Sequence, residues 1–63
     1  MTELEKLYQN MADTLEQGVT DLEKFQDGNM SAGTRVRKTM QTVKELAQKT
    51  RVAVQEQKNA VAN

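Results

Sequence analysis

Four cations recur at a spacing of seven residues: Arg37, Lys44, Arg51 and Lys58. On a helix this spacing places them in one line, with neighbours about 10.5 Å apart. Such a line suits a phosphate backbone, because each cation that meets a phosphate releases a condensed counterion. Arg35, Lys38 and Lys49 widen the basic surface. The same line also fits a solvated flank, or one reached by the long side chains of Glu16 and Glu23. Other chemistry is poorly supplied. The chain has no Cys and no His, so it lacks thiolate ligands, disulfides and the commonest general base. Ser31 is the only serine, and no carboxylate has a partner that would make a nucleophile–base pair. No catalytic residue, metal site or cofactor is expected, and the chain does not read as an enzyme. Tyr8 and Phe25, the only aromatics, do not make a base-stacking platform.

A second cluster surrounds the start of the basic region. Arg35, Arg37 and Lys38 fall in the first turns of a helix, where cations oppose the helix dipole. Ser31, Thr34 and Arg35, with free amides at the helix start, would suit a phosphate. Pairing of Asp21, Glu23 or Asp27 with these cations across a turn explains the cluster equally well. Gly33-Thr34 is a poor nucleotide-binding loop, since the lysine is missing and no strand precedes it.

Net charge is zero, but it divides along the chain. Residues 1–27 hold seven acids and two cations, a net charge of −5; residues 28–63 hold seven cations and two acids, a net charge of +5. An acidic helix beside a basic one, or a basic arm meeting an anionic partner, would each produce this division. The longest apolar runs are three residues, far below the ~20 of a membrane-spanning helix. With no export signal in view, a cytoplasmic setting is expected.

The elements that carry these groups follow from periodicity. Thr2 and Glu5 fit a capping box. Leu4, Tyr8, Met11, Leu15, Leu22 and Phe25 recur in helical steps, with Gly18 in the vacant slot. Gly28 suits a left-handed residue past a helix end, and Asn29 or Ser31 suits the next N-cap. Val36, Met40, Val43, Ala47, Thr50, Val54 and Val61 form a second seam. The prediction is an all-α, coiled-coil-like antiparallel two-helix hairpin forming a single domain over 1–63. Its parts are a helix over about 3–27, a turn at 28–30 and a helix over about 31–60. Folding at Gly28-Asn29 opposes residues whose numbers sum to 58, which sets Gly18 against Met40. Leu7, Leu46 and Ala53, with Ala32, Ala60, Thr14 and Thr39, then form an apolar flank. That flank predicts a homodimer or higher homo-oligomer, most simply a four-helix bundle, with Leu7, Leu46 and Ala53 at the interface.

Gly28-Asn29, the run Ala32-Gly33-Thr34-Arg35-Val36-Arg37-Lys38, then Leu46-Ala47-Gln48-Lys49 and Arg51 together resemble the bacterial linker-histone-like nucleoid proteins. The likeness covers roughly residues 11–58. It implies DNA binding and chromosome condensation without catalysis. Better-known members continue into a lysine- and alanine-rich tail that is missing from this sequence. Without it the resemblance implies weak DNA binding, binding by an oligomer that gathers several basic lines, or another role. The expected function is therefore that of a histone-like, nucleoid-associated protein binding double-stranded DNA non-specifically. Its phosphate contacts would come from Arg35, Arg37, Lys38, Lys44, Lys49, Arg51 and Lys58. The alternative is a helical-hairpin oligomerisation or adaptor module that binds an acidic protein.

Overall fold

The structure, a computed structural model, describes residues 1–62, apart from the side chain of Ala62. It contains two helices, α1 (Glu3–Gln26) and α2 (Met30–Ala62), packed side by side as a hairpin. There is no strand among the described residues.

Each end of α1 is closed by local chemistry. Thr2 caps its start: the Glu5 amide donates to Thr2 Oγ1 at 3.1 Å, and the Thr2 amide donates to Glu5 Oε1 at 2.9 Å. The bond from the Thr2 backbone amide, and secondly one from its side chain, hold the Glu5 carboxyl below its ordinary 4.5. A depressed carboxylate favours the folded state fully above its unfolded pKa and loses that contribution as pH falls through the folded value. The start of α1 should therefore fray below about pH 4.5, an acid transition that Glu5→Gln would flatten in far-ultraviolet circular dichroism.

At the other end the chain turns sharply. The Gly28 amide donates to Phe25 O and the Asn29 amide to Lys24 O, both at 3.0 Å, which is the paired bonding of a Schellman turn. Gly28 has φ +100°, and no atom lies near a Cβ built on it. A side chain there would thus meet backbone strain alone. Gly28→Ala should cost about 1 kcal/mol and lower Tm by roughly 4–8 °C in a chain of this size, measured by thermal melting. Asn29 then caps α2, its Oδ1 accepting from the Ala32 amide at 3.3 Å and from Ser31 Oγ at 2.7 Å.

The seam between the arms differs from the expected one by a roll of each helix. Tyr8, Leu15, Leu22, Phe25, Met40, Val54 and Val61 were expected inside, and all are exposed. The covered residues are Leu7, Ala32 and Thr50, all buried, together with half-buried Leu4, Met11, Asp13, Thr14, Gly18, Asp21, Gly33, Val36, Thr39, Val43, Leu46, Ala47 and Ala53. Gly18 meets Thr39, numbers that sum to 57, and the covered residues fit that register, with the Phe25 ring reaching one residue further onto Gly33. A Cβ on Gly18 would lie 3.0 Å from Thr39 Cγ2, so Thr39, not Met40, fills the notch.

The cause is the size of the seam residues. Ala32, Gly18 and the threonines let two backbones approach closely, whereas Tyr8, Leu15 and Met40 would hold them apart. The threonine hydroxyls do not prevent this. Thr14 Oγ1 donates to Asn10 O at 2.7 Å and Thr50 Oγ1 to Leu46 O at 2.8 Å. Both of these hydroxyls are satisfied within their own helices, and among the described residues no buried side-chain nitrogen or oxygen lacks a partner.

Candidate nucleic-acid interface

The roll sorts the hairpin surface into distinct faces. Leu15, Val19, Leu22 and Met40 line a shallow apolar groove along one side of the seam. Thr14, Gln17, Asp21, Arg35, Lys38 and Thr42 line a polar groove along the other. The basic line borders the apolar side. Arg37 and Lys44 stand three before and four after Met40, and Arg51 and Lys58 stand likewise about Val54. Residues at these offsets are neighbours on a helix surface.

All four members of the line are exposed. Their helix runs unbroken from Met30, so the line spans about 32 Å within one helix. Among the described residues the structure shows one ion pair, between Arg35 Nε and Asp21 Oδ1 at 2.7 Å. Arg37, Lys44, Arg51 and Lys58 therefore keep their charge directed at solvent. Lys38 and Lys49 are exposed too, but they leave α2 on other sides.

Several groups at the start of α2 have partners within the chain. Asn29 takes the Ala32 amide and the Ser31 hydroxyl, and Asp21 takes Arg35. Pairing across the hairpin accounts for Arg35, one of the two explanations the sequence had left open. Surface pairs of this kind contribute about 0–1 kcal/mol, so Arg35 is held without being locked.

Leu7, Leu46 and Ala53 lie between the two arms of one chain, Leu7 buried and the others half-buried. A stripe of exposed large apolar side chains, Tyr8, Leu15, Val19 and Leu22, lies beside Met40 and Val54. The signal for this was present in the sequence. Gly18, Ala32 and Gly33 are too small to be bundle knobs; Gly18 receives the Thr39 side chain and Gly33 the Phe25 ring.

This arrangement defines a small all-helical protein: a hairpin that carries an acidic arm, a basic arm and an uncovered cationic line suited to a polyanion. Residues 5–60 match the model of the histone H1-like protein Hc1 family, and the chain belongs to that family. The match spans the whole of the earlier resemblance. The family is one of histone-like, DNA-binding nucleoid proteins, a structural family and not an enzyme family. No curated protein and no solved structure matches the chain. No helix among the described residues is long and apolar enough to cross a membrane.

Proposed function

We propose that the chain binds double-stranded DNA without sequence preference, through phosphate contacts from Arg37, Lys44, Arg51 and Lys58. Lys38 and Lys49 add to the surrounding potential, and Arg35 contributes less because Asp21 already holds it. The observation that carries this reading is the exposed line on α2, with none of its members in an ion pair among the described residues. Neither helix bears an obvious base-reading set, and four cations spread along one helix edge suit phosphates, so contacts fall on the backbone. Cytoplasmic placement on the nucleoid and a part in chromosome condensation go with this reading.

The chain acts as a homodimer or higher homo-oligomer. A 63-residue chain without disulfide or metal supplies little core, and this one leaves a stripe of large apolar side chains uncovered. A second copy that buries the stripe also doubles the number of basic lines carried by the assembly.

Titration with duplexes of unrelated sequence at several salt concentrations tests the reading. If one line engages, log affinity should fall with log salt at a slope of about −3.6, whatever the sequence. Absence of binding at low salt and high protein concentration, alongside capture of an acidic protein, would favour the adaptor reading.

A further inference from the structure

The uncovered apolar face has edges of opposite sign. On α1, Glu16 and Glu23 stand three before and four after Val19. On α2, Arg37 and Lys44 stand at the same offsets about Met40. All four charged residues are exposed. The face is therefore an apolar strip with an acidic rim along one arm and a basic rim along the other.

A second copy can cover this face by twofold symmetry in two ways. With the turns at opposite ends, α1 lies on α1 and α2 on α2, so acid meets acid and base meets base. With the turns at the same end, α1 of each copy lies on α2 of the other, so each acidic rim meets a basic one. The division of charge, −5 on residues 1–27 and +5 on residues 28–63, decides between them. The register agrees. At equal height Glu23 lies level with Thr34 and Glu16 with Gln41. Each glutamate is then three residues, about 4.5 Å along the axis, from Arg37 or Lys44, within reach of long side chains.

We propose that a second copy covers this face with its turn at the same end, so that its acidic rim lies along the basic line and competes with DNA phosphate for the same cations. The proposal rests on the oligomeric, DNA-binding reading above and deepens it. DNA must displace carboxylates from Arg37 and Lys44 before phosphates reach them. The competition sets a threshold on binding that the sequence of the DNA does not alter.

Two measurements test this. The chain lacks cysteine, so a single Lys24→Cys substitution near the turn takes one nitroxide label per copy. Dipolar spectroscopy should give a separation of about 15–25 Å with the turns together, the width of a four-helix bundle, against more than about 30 Å with them apart. In parallel, the Glu16→Gln/Glu23→Gln variant should bind duplex DNA roughly 3–10-fold more tightly, by removing weak surface pairs, and should self-associate less at low salt. A long separation overturns the arrangement, and unchanged DNA affinity in the variant overturns the competition. A monomer at all concentrations, read by sedimentation, overturns both and also the oligomeric part of the proposed function. A dimer with a long label separation overturns this arrangement alone.

Discussion

Replacement of Arg37, Lys44 and Arg51 together by glutamate is expected to abolish binding to duplex DNA. Each change removes a cation from the line and adds an anion within a Debye length of the phosphates, about 8–10 Å at moderate salt. One member, Lys58, would remain. The salt slope should collapse from about −3.6 towards zero, and no shift should appear in an electrophoretic assay at low salt. The fold should persist, because all three side chains are exposed and Arg, Lys and Glu differ little in helix propensity. Circular dichroism and the melting curve provide that control. Self-association should survive at high salt, where rim charges are screened and the apolar strip dominates. Loss of DNA binding with the fold and dimer intact would separate the DNA-binding role from a purely structural one.

The second large effect is expected from the apolar face. The Leu15→Asp/Leu22→Asp variant places two carboxylates where two leucines, 47% and 45% exposed in the single chain, await a partner. Burying what remains of each leucine in a dimer is worth roughly 1 kcal/mol, and a twofold interface counts both copies. The dissociation constant should rise at least a hundredfold, since about 1.4 kcal/mol corresponds to tenfold, and sedimentation should report a monomer. Leu7→Ala should behave differently. Leu7 is 7% exposed within one chain, so its truncation attacks the hairpin itself, at a cost of about 2–3 kcal/mol. In a domain of this size that is a large part of the total stability. Helicity should therefore fall in Leu7→Ala at every concentration, whereas the aspartate variant should keep the helicity of the dissociated wild-type hairpin, independent of concentration.

These two contrasts mark what was legible in the sequence. Both helix caps and the bend could be read directly, because Thr2 with Glu5, Gly28 and Asn29 each solve a local problem of unpaired amides or positive φ. The all-helical hairpin followed from periodicity, and its register was displaced by only one residue, from a sum of 58 to one of 57. The roll about each helix axis was not legible by apolarity. Two adjacent stripes on each arm are apolar, and the larger side chains, Tyr8, Leu15 and Met40, draw attention to the one that stays outside. What decides the matter is closeness of approach. Gly18 accepts a threonine methyl, Ala32 is fully covered, and Thr14 and Thr50 satisfy their hydroxyls on their own helices. A threonine read as half-polar in a sequence can thus act as an aliphatic residue in a seam.

At the candidate interface, the heptad spacing was enough to place Arg37, Lys44, Arg51 and Lys58 in one line. It could not tell which cations meet a carboxylate. That depends on the roll: rotating α1 towards its Leu7 side carries Asp21 into the edge of the seam, where it meets Arg35. The same rotation leaves Glu16 and Glu23 on the far rim, away from the basic line of their own chain. An uncancelled cationic line and an uncovered apolar strip are therefore two consequences of one packing choice.

Lysine modification mapped with and without duplex DNA tests the central claim most directly. Lys6 and Lys24 lie on α1, and Lys44 and Lys58 lie in the line on α2; all four are exposed in the free chain. Saturating DNA should protect Lys44 and Lys58 from acylation and leave Lys6 and Lys24 reactive. Equal protection on the two arms, or protection confined to α1, would contradict phosphate binding along the basic line of α2.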